Sequence, residues 1–282
     1  MLITILNGLT YAGLLFLIAV GFALVFGVMR VVNMSHGVMY LFGAYIGLEV
    51  QNRTGGNWFL AVAAAAVAVA FMAVLLERLV KFVHDDMSQT LLTLGVTLAL
   101  SDLCLWIWGG LPSTLKPPSF LTSTIPFLGI KFPAFRLAML GIAILLGLVI
   151  WYVMSRTQLG RLLRAGVDDR AMLAATGVNV SRVFTATWII GGVLVGIAAA
   201  VGGSYVAFGP GTEFSMLTLA LVVVISGGLG SIAGSAVGAL IVGLVDALGR
   251  TYAAELSSFL LMGTLVIVLA IRPNGLFGKA QA

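Results

Sequence analysis

The chain has 282 residues, of which 61% are apolar and only 9% charged, with a net charge of +5 and a mean hydropathy of +1.14. A soluble domain carries about 25% charged residues, so the composition excludes a water-soluble globule and points to an all-α, polytopic membrane bundle. One cysteine (Cys104) and two histidines (His36, His84) exclude a disulfide framework and a cysteine-based zinc cluster, and basic residues spread along the chain argue against a nucleic-acid partner.

A bilayer core of about 30 Å needs roughly 20 apolar residues in a helix. The uncharged stretch 1–29 is the first span, being too long for a cleaved leader and lacking its basic start. Uncharged runs then predict spans near 4–28, 36–51, 57–77, 88–109, 136–154, 183–207, 216–228, 232–249 and 256–271. The shortest of these can be half-helices that re-enter without crossing, giving about 8–9 transmembrane helices.

Lys and Arg are retained in the cytoplasm. With 156–182 inside, Arg30, Arg78, Lys81, Arg156, Arg161, Arg164, Arg170, Arg182, Arg272 and Lys279 are internal, and only Arg53, Lys116, Lys131, Arg136 and Arg250 external. The amino terminus is then outside and the carboxyl terminus inside.

The predicted outer loop 111–135 holds five of the seven prolines and a small hairpin over 125–132 turning near Gly129. It is either a lid that ties two helices together or a surface for ligand capture. Asp102, inside an apolar span, either faces the bundle interior or lies near the outer interface with Trp106 and Trp108. His84, Asp85 and Asp86 form a solvated inner cluster.

The inner loop 156–182 predicts a short surface helix over 169–176, capped by Asp168 and stopped by Gly177 in a left-handed conformation. Its small face (Ala171, Ala174 and Ala175, with Met172 and Leu173) suits a groove in a partner. A basic loop lying on anionic lipid is the alternative.

Two interruptions follow apolar runs, at 33–37 and 227–231. Unpaired backbone is tolerated at membrane depth only beside protein or a watery cavity, so Asn33, His36, Gly37, Gly227, Gly228, Gly230 and Ser231 are candidates for a translocation path. For Asn33 and His36 the competing reading is interhelical hydrogen bonding at a bend. The glycines at 230, 234 and 238, and at 192 and 196, read first as helix-packing positions.

Four ordered stretches are similar to one family: Phe26-Gly-Val-Met-Arg-Val-Val-Asn-Met-Ser-His-Gly37, Gly160-Arg-x-x-Arg-Ala with Asp168, Ala171, Ala174 and Gly177, Gly227-Gly-Leu-Gly-Ser-Ile-Ala-Gly234, and Arg272-Pro-Asn-Gly-Leu-Phe-Gly278. Together they resemble the LivH-type permeases of branched-chain amino-acid ABC importers over essentially the full length. The chain departs from that pattern at Ala233 and Ser235. The resemblance implies one permease domain over 1–282, with 156–182 as a cytoplasmic coupling loop in the bacterial inner membrane. It also implies a second related permease subunit, two ATPase subunits, a periplasmic or extracellular binding protein, and lipid around the bundle. ATPase coupling would fall on Arg161, Arg164, Asp168, Ala171, Met172, Ala174 and Gly177.

No P-loop occurs in the sequence, so no cofactor is expected on this chain, and ATP and Mg²⁺ would sit on the partner ATPases. No catalytic constellation is legible, and a pore-forming subunit is expected rather than an enzyme. The expected substrates are branched-chain or related amino acids, with urea, amides or aromatic acids as alternatives. A stand-alone carrier or channel is the reading from a different class.

Overall fold

The computed structural model describes residues 1–29, 31–83, 85–127 and 129–278, with the side chains of Val28, Asp168, Arg170 and Ala171 outside that description. Arg30, His84 and Lys279, counted above, therefore lie outside the described residues. In chain order the helices are α1 (Leu2–Met29), α2 (His36–Arg53), α3 (Trp58–Lys81), α4 (Asp86–Trp108), α5 (Ala134–Arg156), α6 (Gln158–Asp168), α7 (Arg170–Ala175), α8 (Val180–Gly203), α9 (Thr212–Gly227), α10 (Ile232–Tyr252) and α11 (Ser257–Ile271). The strands β1 (Thr124–Phe127) and β2 (Ile130–Pro133) form an antiparallel hairpin between α4 and α5.

Local chemistry sets the helix ends. Asn57, Asp85, Thr157, Asn179 and Ser231 each accept a backbone N–H from the first turn of α3, α4, α6, α8 and α10, pairing donors that a helix cannot pair internally. Gly109, Gly177 and Gly228 adopt positive φ just past α4, α7 and α9.

Among the described residues seven helices (α1, α3, α4, α5, α8, α10 and the segment ending in α11) are long and apolar enough to cross a membrane. All nine predicted spans are helical, and the two that fall outside this set are α2 and α9. Both start part-way along the bundle. The ring of His36, at the start of α2, bonds the carbonyl of Ile18 in the middle of α1. Gly37 packs against the backbone of Glu213 at the start of α9.

The chain uses one plan twice. α1–α4 and α8–α11 each begin long, short, long, and the first helix of each half packs on the third helix of the other, α1 on α10 and α3 on α8. Small residues make these crossings close. Gly243 meets Ala12, and Gly192 and Gly196 meet Ala65–Ala73 of α3. α1 and α8 run antiparallel, with Gly21 near Gly191 and Val195 and Gly191 near Val25. The halves are thus inverted relative to each other, a plan shared by many transporters.

Two buried acids occupy corresponding positions in the halves. Glu77 of α3 pairs with Lys81, and Asp246 of α10 with Arg250, at opposite ends of the bundle.

The 111–135 segment behaves as a tie. Ser113 and Phe208 exchange backbone hydrogen bonds, Leu115 N–H donates to Gly203, and the Gln51 amide makes two bonds of 2.8 Å with the backbone of Lys116. The expected hairpin is present, with Gly129 at φ 80° in its turn.

Candidate functional site

At one end of the bundle α5 passes through α6 and α7 into α8. The expected short helix over 169–176 is α7, and a second helix that the sequence reading did not single out, α6, precedes it with a bend at Asp169. Leu163 of α6 packs with Val183 and Phe184 of α8, and Leu159, Leu162 and Val167 lie alongside. Apolar residues recurring at this spacing make α6 amphipathic, a pattern that the search for long uncharged runs passed over.

The capping residue also differs from expectation. Asp168 is the last residue of α6, and Asp169 accepts the N–H of Met172 at 3.0 Å to start α7. Two adjacent aspartates are equivalent to a composition argument, and the bend selects the second.

α7 is pinned by Leu173, which is buried and reaches Gly166. Met172 is 66% exposed, Ala174 and Ala175 are exposed, and Gly177 ends the turn at φ 81°. Arg161 and Arg164 lie exposed on α6, and Arg164 donates to the carbonyl of Met154. The result is a seated knob that turns Met172, Ala174 and Ala175 outward, and the backbone of Ala171 forms part of it.

The first interruption joins Asn33, His36 and Gly37 to residues that the sequence reading did not single out. Oδ1 of Asn33 accepts from both the N–H and the hydroxyl of Ser35. The Met34 N–H donates to Oγ1 of Thr93 at 3.1 Å, and the Thr97 hydroxyl donates to the Met34 carbonyl at 3.1 Å. Two threonines on α4 thereby satisfy backbone groups that the break frees. A threonine on each of two successive helical turns, at 93 and 97, was the available signal.

Glu213 was also missed, because it served only to separate two apolar runs. It is 3% exposed, and its Oε2 accepts the Gly211 N–H at 2.9 Å. The starts of α2 and α9 therefore meet beside a buried carboxylate. Helix starts carry unpaired N–H groups and partial positive charge, which suits an anionic group.

The second interruption has a different environment. The carbonyls of Ser226 and Gly227 accept the N–H groups of Leu276 and Phe277, at 3.0 and 2.9 Å. A side chain at Gly228 would strike the backbone at Gly278, and one at Gly275 would strike Gly228. The 272–278 motif thus fills the 227–231 break, joining two of the sequence motifs. Gly230, at φ 78°, packs on Gly27 at the end of α1, and the Ser231 hydroxyl oxygen caps α10 through Gly234. The first interruption packs on the start of α9 and the second lies at its far end, so the two do not form a single cluster.

Asp102 is exposed on α4, so the interior reading of that residue is set aside. Trp106 is 83% exposed, while Trp108 stacks on Tyr45 at 4.9 Å. Among the described residues no group of three or more His, Cys, Asp or Glu side chains is placed to hold a metal.

Inverted halves, two helices that start inside the bundle and a knob projecting at one end define a multi-pass membrane transport subunit. The chain belongs to the family described as branched-chain amino acid transport system / permease component, whose model matches residues 4–269. It is 25% identical to the high-affinity branched-chain amino acid transport system permease protein BraD of Pseudomonas aeruginosa, covering 98% of this chain and 95% of that one. It is 26% identical to LivH of Escherichia coli K12, over 98% and 94% of the two chains. The probable branched-chain permease LivH of Methanocaldococcus jannaschii is 24% identical over 97% of this chain and 92% of its own. No solved structure shows a significant match.

Proposed function

We propose that the chain is the permease subunit of an ABC importer for branched-chain or closely related amino acids, forming one permease domain over 1–282. It sits in the bacterial cytoplasmic membrane with its amino terminus outside and the α6–α7 end inside. A second related permease, two ATPase subunits that hold ATP and Mg²⁺, and an external binding protein complete the importer. The names of the relatives that span nearly the whole chain support the substrate class.

The observation that carries the coupling role is the seating of α7. An isolated six-residue helix has no stability of its own in water. This one is held by Asp169 and Leu173, yet it turns Met172 and Ala174 outward. Such a tip fits an apolar cleft in a motor subunit, and closure of that cleft on ATP would push α6 against α8. Arg161, Arg164 and Gly177 frame the contact. Asn33, His36 and Gly37 border the path, and Gly227, Gly228, Gly230 and Ser231 form its support at the coupling end.

The test is Met172→Asp in the assembled transporter. Substrate uptake is expected to fall to background while ATP hydrolysis persists and the subunit remains inserted. Unchanged uptake overturns the docking role. Uptake driven by a proton or sodium gradient without ATP and partner subunits overturns the importer reading.

A further inference from the structure

Among the described residues, three buried polar atoms near the first interruption have no hydrogen-bond partner: Nδ2 of Asn33, Nε1 of Trp188 and Oε1 of Gln89. They come from three different elements, the 31–35 segment, α8 and α4. All three residues nevertheless line one small cavity of about 10 Å³, together with Val25, Met29 and Thr93. Asn33 is 5% exposed and Trp188 2%. The orientation of the Gln89 amide is fixed, because its Nε2 donates to the Val83 carbonyl at 2.7 Å. Oε1 is thereby left as the free acceptor.

A buried polar group left unpaired has lost water without gaining a partner. The three residues around this void together carry two N–H donors and one carbonyl acceptor in that state. A buried water typically makes two to four hydrogen bonds and needs a cavity of roughly 10–15 Å³. The cavity is the size of one water, and its three polar atoms match what a water offers, two lone pairs and an O–H.

The cavity also lies beside a larger space. Met29, Val80 and Gln89 line both it and a wider cleft of about 250 Å³, which opens beside Glu77, Lys81 and Phe184. The cleft mouth carries the Glu77–Lys81 ion pair, extended by hydrogen bonds from Lys81 to Ser181 and from Thr185 to Glu77. Charged residues line the mouth, neutral polar ones the inner end, and the whole lies within one chain.

We propose that cleft and cavity form an aqueous vestibule inside this single subunit. It opens at the α3–α8 end and stops at a water seat made by Asn33, Gln89 and Trp188. The seat hydrates the first interruption from the α7 side of the bundle. It requires no second permease copy and no nucleotide, so its test is independent of the importer reading.

Hydroxyl-radical footprinting of the assembled complex in lipid nanodiscs tests the seat, since bound water generates the radical in place. Trp188 is expected to oxidise several-fold faster than Trp58, which is similarly buried and bonded to Ser204. The Gln89→Leu variant is expected to slow that oxidation. Equal rates for the two tryptophans, or no effect of Gln89→Leu, overturn the seat. In a Cys104→Ala background, Val83→Cys and Val80→Cys, both lining the wider cleft, are expected to react with a charged, impermeant thiol reagent from one membrane side only. The control Leu91→Cys, at an exposed apolar position of α4 outside the cleft, is expected to stay unreactive. Failure of either cysteine to react, or a rate no faster than at Leu91, overturns the vestibule.

Discussion

Gly37 shows how much one missing methyl group can carry. A Cβ there would fall on the carbonyl oxygen of Glu213, a backbone atom that cannot swing aside. Overpacking of a tight contact costs about 1–3 kcal/mol. Gly37→Ala should therefore lower the thermal midpoint in detergent and reduce uptake. Gly95→Ala is the control, since a Cβ there meets nothing within 4 Å and alanine favours the helix interior, and it should lower neither measurement. The sequence marked Gly37 as part of a break, but the carbonyl opposite it belongs to a residue 176 positions later, and no local pattern carries that pairing. Asn33 was legible as a polar residue in an apolar setting. Its cavity was not, because Gln89 and Trp188 are brought to it by other helices.

At the scale of elements, capping chemistry makes two separable predictions. Asp169→Ala removes the N-cap of α7, a loss of about 0.5–2 kcal/mol. Asp168→Ala leaves that bond in place. Amide hydrogen exchange over 170–175 should accelerate in the first variant and stay near wild type in the second. The second prediction concerns Asp85, whose carboxylate accepts the Ser88 N–H and hydroxyl at 3.0 and 3.1 Å. These bonds hold its pKa below the usual carboxylate range. A depressed folded pKa means that the cap is fully present above the ordinary value of about 4 and is lost as pH falls through the lower, folded one. Protection factors at the first turn of α4, with the intrinsic pH dependence of exchange divided out, should thus be flat from neutral pH down to about 4 and fall only below it.

The long helices were legible because a run of uncharged residues is a direct ruler of bilayer thickness. α6 was not, because its arginines broke the run while its leucines kept helical spacing. The split of the 214–245 run was legible from Gly227, Gly228 and Gly230. What fills that split was not, since the 272–278 segment reaches it only through the tertiary fold.

For the whole molecule, the 272–278 segment acts as a clasp between the end of the chain and the α9–α10 corner. Truncation after Arg272 would leave the Ser226 and Gly227 carbonyls without partners, at about 1–3 kcal/mol each. The truncated protein should insert but unfold at lower temperature, and trypsin should cut more readily near the coupling end. Replacing Gly228 with a larger residue should resemble this truncation, because the side chain would displace the clasp at Gly278 rather than plug a channel.

The interlocking of α1 with α10 also constrains biogenesis. A nascent chain delivers α1 first, yet the surface that receives Gly8 and Ala12 is built from residues near 243–247, more than two hundred positions downstream on the ribosome. Until α10 emerges, the glycine-lined flank of α1 faces lipid or an insertase, and His36 waits beside a half-built wall. Distant pairings of this kind slow folding. Ribosome-stalled chains ending before α8 should accordingly be captured by membrane chaperones and quality-control proteases, and those that include α10 should escape them.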